Sequence, residues 1–212
     1  MATRGKYIVI EGHDGTGKSA QRDLLTERLK NERGIDVIHT IEPGGTPISN
    51  QIRLTIKDGT LSRDALTNVL LFTASRRESW QQVVEPALAA GKWVIADRSY
   101  YSTIVYQGYG EGADIDLIKD VTRDFVAPEY LTPDIAVILA LQNETERQRR
   151  AAQSADTEQD TFEQKDTDFQ QRVTEGYLRL AKDVKAFAVS FSATDSKQAV
   201  SNMIWDTIKD AL

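Results

Sequence analysis

The 212-residue sequence predicts a three-layer α/β fold: a parallel five-stranded sheet flanked by helices, with a small mobile lid. Three observations predict it. Short β-rich apolar runs alternate with helical segments, which requires right-handed crossovers and a sheet covered on both faces. The first run ends in a glycine-punctuated turn that opens a helix. One acidic stretch near residue 160 lacks the apolar content that firm packing needs.

Taken in order, residues 7–10 (Tyr-Ile-Val-Ile) read as a buried strand. Lys18–Arg33 reads as a helix, with Leu25 and Leu29 one turn apart and Gly34 as its stop. Residues 36–40 form a second strand, Pro43-Gly44-Gly45 a loop and Pro47–Lys57 a helix. A longer helical stretch covers 62–90, interrupted near Pro86 and closed by Gly91. Residues 93–96, 135–141 and 186–191 supply three further strands before a C-terminal helix. Residues 153–168 hold Asp156, Glu158, Asp160, Glu163, Asp166 and Asp168 against Lys165 alone, with little apolar content besides Phe162. The chain therefore reads as a single domain over 1–212 with a lid insertion at about 150–168.

Composition narrows the function. Hydrophobic residues make up 40% and charged residues 27%, so a packed core needs no staples. The absence of cysteine excludes disulfides, thiolate metal sites and a cysteine nucleophile. A net charge of −6 argues against a nucleic-acid partner. No apolar stretch has the length of a signal peptide or a membrane span, so a cytoplasmic protein with no membrane partner is expected.

Gly12-His13-Asp14-Gly15-Thr16-Gly17-Lys18-Ser19 matches G-x-x-x-x-G-K-[ST] in full. Glycines let successive backbone N–H groups turn inward around a phosphate, and the helix that follows aims its positive end at the same place. In a P-loop of this kind Lys18 reaches the β- and γ-phosphates of ATP and the Ser19 hydroxyl ligates Mg2+. The motif does not choose between kinase, GTPase and motor; no Asn-Lys-x-Asp guanine-reading sequence occurs, and the chain is short for a motor. Asp97-Arg98 stands at the carboxyl end of the third strand, where ligands bind in open α/β sheets. Asp97 there can hold the magnesium shell or deprotonate an acceptor, and Arg98 can fork onto a phosphate.

Asp97-Arg98-Ser99-Tyr100-Tyr101-Ser102, with Tyr106-Gln107-Gly108 after it, resembles the Asp-Arg-Tyr…Ser…Tyr-Gln-Gly stretch of thymidylate kinases. Leu70-Leu71-Phe72-Thr73-Ala74-Ser75-Arg76 resembles that family's Leu-Leu-Phe-Ala-Ala-x-Arg helix, and Glu42-Pro43-Gly44-Gly45-Thr46 its Glu-Pro-Gly-Gly-Thr loop. The resemblance implies a P-loop NTPase-type fold and phosphoryl transfer from Mg-ATP to thymidine 5′-monophosphate. The alternatives are a deoxynucleoside kinase, a kinase for another nucleoside monophosphate, or a nucleotide-binding regulator with weak turnover. It implies that Phe72 stacks on the thymine and Arg76 addresses its carbonyl edge. Arg98, helped by Arg53, would grip the acceptor phosphate, and Asp14 would lie near the 3′-hydroxyl. Ser102, Tyr106 and Gln107 would line the sugar and base pocket, and Arg149 would lie by the ATP base and phosphates. A homodimer is implied as well.

The family pattern also breaks. Gly15 follows Asp14, so the P-loop supplies no arginine, and the lid reads Asp160-Thr161-Phe162-Glu163 where an Asp-Arg-x-Glu is expected. Ile41 replaces the arginine before Glu-Pro-Gly-Gly. Arg147, Arg149 and Arg150 precede the lid and are the local candidates for the missing charge.

Overall fold

The computed structural model describes residues 3–154, 162 and 165–212. In chain order its elements are β1 (Tyr7–Gly12), α1 (Lys18–Arg33), β2 (Val37–Ile41), α2 (Pro47–Lys57) and α3 (Ala65–Ser79). A π-helical turn (Trp80–Val84) leads into α4 (Glu85–Ala89), then β3 (Trp93–Asp97), α5 (Tyr100–Thr103) and a second π-helical segment (Ile104–Gly110). There follow α6 (Ile115–Phe125), a 3-10 turn (Pro128–Leu131), β4 (Ile135–Leu141), α7 (Glu144–Ser154), α8 (Thr167–Asp183), β5 (Phe187–Phe191) and α9 (Lys197–Ile208).

The five strands pair in parallel in the order β2-β3-β1-β4-β5. Side chains alternate across the sheet, so each central strand feeds two cores. Tyr7, Val9, Val94, Ala96 and Ile138 pack with Val69 of α3, Ile118 of α6 and Val173 of α8. Ile8, Ile10, Ile95, Val137 and Leu139 pack on the other face with Leu25 and Leu29 of α1 and Ile204 of α9. Burial on both faces explains why these strands read as continuous apolar runs. The chain leaves β1 for one side of the sheet and reaches β4 on the other, so a crevice opens beyond the carboxyl end of β1. Ile10 is in register with Asp97, and Asp97 with Ile41. That register brings the P-loop, the Glu42-Pro43 turn and Asp97-Arg98 together.

Several boundaries differ from the sequence reading. The long 62–90 helix begins only at Ala65, where Asp64 caps it by accepting from the Thr67 amide. Its interruption near Pro86 is a π turn: Glu85 N–H reaches back to Trp80, and Pro86, which has no N–H to give, follows directly in α4. Residue 36 lies before β2 and residue 186 before β5. The helical region 100–110, α6 and α8 are not among the elements read from the sequence; in 100–110 buried polar and aromatic residues such as Tyr101, Thr103 and Gln107 mask the 3.6-residue period. Much of the expected lid, including Thr161, lies outside the described residues. No helix among the described residues is long and apolar enough to cross a membrane.

Candidate active site

The P-loop closes on itself. The His13 carbonyl accepts from Thr16 Oγ1 at 2.8 Å and from Lys18 Nζ at 3.2 Å. Gly17 carries the αL conformation that turns the chain into α1, which Lys18 begins. Lys18 is buried, and burial together with Arg98 lowers its pKa, while Asp14 lies 3.6 Å away as counter-charge. A cavity of about 750 Å3 runs from this loop to the far side of the crevice. Gly15, Thr16, Gly17, Lys18 and Ser19 line one end, Phe72, Arg76, Thr103, Tyr106 and Gln107 the other, with Asp97 and Arg98 between them. Gly12 does not line this cavity, and neither does His13. Its ring is buried and turned toward Arg147.

At the mouth of the loop, Ser19 Oγ donates to Asp97 Oδ2 at 2.5 Å. This hydroxyl–carboxylate pair is a hard oxygen donor set beside a phosphate site, and it fits Mg2+, which takes one or two carboxylates plus substrate phosphates. Arg98 has φ 75, a left-handed conformation that is strained for a residue with a Cβ. Its guanidinium donates to Asp14 Oδ1 at 2.5 Å, Ser102 Oγ at 2.9 Å and Tyr177 Oη at 3.2 Å. Burial opposes the charge of Asp14, but Arg98 and Lys18 outweigh it and hold the carboxyl well below the usual range. Tyr106 Oη also donates to Asp14, at 3.1 Å.

Glu11, which the sequence reading passed over, holds this turn. Fully buried at the end of β1, it accepts from Ser99 N (2.7 Å), Ser99 Oγ (2.9 Å) and Ser102 Oγ (2.8 Å). A carboxylate closing an otherwise apolar strand was the signal that could have found it. Ser102 therefore serves Glu11 and Arg98 while lining the cavity, and the adjacent Thr103 lines it as well.

Arg76 is 1% exposed. Its Nε donates to Glu42 Oε2 at 2.9 Å and to Tyr130 Oη at 3.2 Å, and its Nη2 donates to Thr103 Oγ1 at 2.9 Å. Among the described residues its Nη1 is a buried donor with no partner. Burial pushes the Glu42 carboxyl up, and the Arg76 guanidinium opposes that push. Phe72 is half-buried, its ring 6.1 Å from that of Phe162, which is itself 6.0 Å from Tyr106. Phe162, the apolar exception in the acidic segment, is buried and lines the cavity. Arg53 lines the cavity and donates to the Pro43 carbonyl at 2.8 Å. Gln107 is buried and donates to Glu111 at 3.2 Å.

On the donor side, Arg149 and Arg150 line the cavity while Arg147 does not. Arg149 is paired with Glu146 on the exposed flank of α7, and Arg150 reaches both Glu146 and the carbonyl of Ala193.

A phosphate-binding loop and an aromatic wall share one cavity with a buried arginine that keeps one donor unsatisfied among the described residues, an arrangement suited to two nucleotides meeting end to end. The fold and site define a nucleoside monophosphate kinase. The thymidylate kinase family model matches residues 10–204. Thymidylate kinase from Halothermothrix orenii is 37% identical over 209 residues, covering 99% of each chain, and that from Pelotomaculum thermopropionicum is 40% identical over 183 residues, covering 84% and 81%. The crystal structure of thymidylate kinase from Ehrlichia chaffeensis superposes with a TM-score of 0.75 at 28% identity, covering 99% of this chain and all of that one. The chain belongs to the thymidylate kinase family.

Proposed function

We propose that the chain transfers the terminal phosphoryl group of ATP to the phosphate of thymidine monophosphate, giving thymidine diphosphate for the supply of the triphosphate. The observation that carries the substrate assignment is the free Nη1 of buried Arg76 in the far half of the cavity. A buried donor of this kind needs an acceptor. The 4-carbonyl of thymine supplies one, whereas an amino group at that position presents a second donor and is rejected. Phe72 forms the apolar wall for the base, where stacking contributes about 1–3 kcal/mol.

In this reading the P-loop amides, the start of α1 and Lys18 hold the donor phosphates. Arg98 and Arg53 turn the acceptor phosphate toward them, and a phosphate oxygen attacks the γ-phosphorus in line. The new P–O bond forms as the bridge to the β-phosphate breaks, and the electron pair leaves on ADP. Catalysis is positioning plus charge neutralisation. Ser19 and Asp97 would hold Mg2+, whose chemistry when bound is to neutralise charge on the donor phosphates. Asp14 keeps Arg98 aimed and stands beside Tyr106, where a sugar hydroxyl can be met. A deoxynucleoside acceptor would leave Arg98 and Arg53 without a phosphate, which favours the monophosphate. Residues at about 150–168 serve as the lid of a single domain. Leu66 and Leu70, exposed one turn apart on α3, favour a homodimer built on that helix. A coupled ADP-release assay with thymidine monophosphate tests the reading; absence of acceptor-dependent ADP release from ATP-competent protein refutes it.

A further inference from the structure

We infer that His13 and Arg147 form a positioning pair that seats α7, and with it Arg149 and Arg150, on the phosphate-binding loop. The inference rests on the reading of Arg149 and Arg150 as donor-side cations.

His13 belongs to the P-loop yet does not line the cavity, and no step of phosphoryl transfer uses it. Its Nδ1 accepts from Arg147 Nη1 at 2.6 Å and from the Asp14 amide at 2.8 Å. The same Arg147 nitrogen donates to the Asp14 carbonyl at 2.8 Å, while Nε and Nη2 bind Glu144 at 2.8 and 2.5 Å. A guanidinium has no acceptor atom, so Nδ1 must be unprotonated and the ring proton sits on Nε2. Burial and the neighbouring Arg147 lower the His13 pKa to about 3, so the ring keeps that form at any physiological pH.

The loop and the helix touch through their backbones as well. A Cβ on Gly15 would stand 2.2 Å from the Arg147 carbonyl oxygen and 2.9 Å from the Ala151 amide nitrogen. The helix therefore occupies the space that a side chain at residue 15 would need, and an arginine at that position is sterically excluded. Arg147 points inward. Arg149 and Arg150, turned ~200° and ~300° further round the helix, face elsewhere and line the donor end of the cavity. The Arg150 bond to Ala193 fixes the helix a second time, against the loop after β5. Among the described residues the helix is thus seated over the donor end by the bonds of Arg147 and Arg150 and by the close approach of Gly15.

The test is a double-mutant cycle of His13→Leu and Arg147→Ala, with His13→Asn as the variant that keeps an acceptor near Nδ1. ATP and thymidine monophosphate KM, kcat and Tm are measured for each. Each disruptive variant should raise the ATP KM and lower kcat by about ten-fold together, because misplacing groups by about an ångström has effects of this size or more. The acceptor KM should stay within about two-fold, and the double variant should be no worse than either single one, as coupled neighbours behave. His13→Asn should restore most of the ATP KM. Wild-type constants in Arg147→Ala, equal rises in both KM values, or full additivity in the cycle would overturn the pairing. If wild-type protein binds ATP but does not turn over, the kinase reading fails instead; the ATP dissociation constants of the same variants then decide the pairing in the same way.

Discussion

The Arg76 guanidinium is locked to Glu42 by a 2.9 Å hydrogen bond, with both side chains shut off from water. The pair leaves one guanidinium nitrogen, Nη1, without a partner among the described residues, while Tyr130 and Thr103 hold the rest. Glu42→Ala leaves that cation buried without its partner, and breaking a buried pair costs about 3–5 kcal/mol. Chemical unfolding should show that loss together with a raised KM for thymidine monophosphate. An unchanged unfolding midpoint would mean that Glu42 does not hold Arg76.

Lys18→Ala should abolish measurable turnover and leave the circular dichroism spectrum unchanged. Lys18 is buried against burial's own preference for the neutral amine, and Arg98 continues to pair Asp14 once it is gone. Near-normal turnover would refute the P-loop assignment.

Phe72→Ala separates a base platform from a core residue. Phe72 lines the cavity and is half-buried, so the expected outcome is a higher acceptor KM with little change for ATP. A variant with normal acceptor affinity and a stability loss of about 3–5 kcal/mol would assign the ring to the core.

Arg149→Ala or Arg150→Ala should lower kcat by about ten-fold, roughly 1.4 kcal/mol of barrier, with ATP affinity less affected. Thr161→Arg, which restores the family's lid residue, should raise kcat or leave it unchanged. Normal turnover in both alanine variants would place the neutralising charge elsewhere.

His13 gives the fold a pH dependence of definite sign. Its folded pKa, about 3, lies below the unfolded value near 6.5. Between these values the unfolded chain binds a proton that the folded chain does not, so stability falls as pH drops through this window. The slope approaches about 1.4 kcal/mol per pH unit. His39 is lowered in the same direction, so the comparison of wild type with His13→Asn isolates the effect. Asp14 acts only at lower pH, since its depressed pKa costs stability once the unfolded carboxyl protonates below about 4. Denaturant midpoints at pH 4 and 7 that shift equally in both proteins would count against a neutral, buried His13.

The sequence by itself determined what depends on neighbours along the chain. The P-loop could be read because its glycines, Lys18 and Ser19 act through backbone geometry within eight residues. Helices Lys18–Arg33 and Pro47–Lys57 were legible because Gly34 stops the first and Thr46 and Pro47 start the second. The tertiary structure alone decided which charged and hydroxyl groups meet. Glu11 finds Ser99, Ser102 and Tyr177, Arg76 finds Glu42, and His13 finds Arg147 across 134 residues. A residue's type states that it needs a partner when buried, but the partner is chosen by sheet order and helix packing. The same arginine chemistry therefore leaves a donor without a partner among the described residues at Arg76 and makes an internal fastening at Arg147, because burial and geometry, which no local pattern encodes, set the two apart.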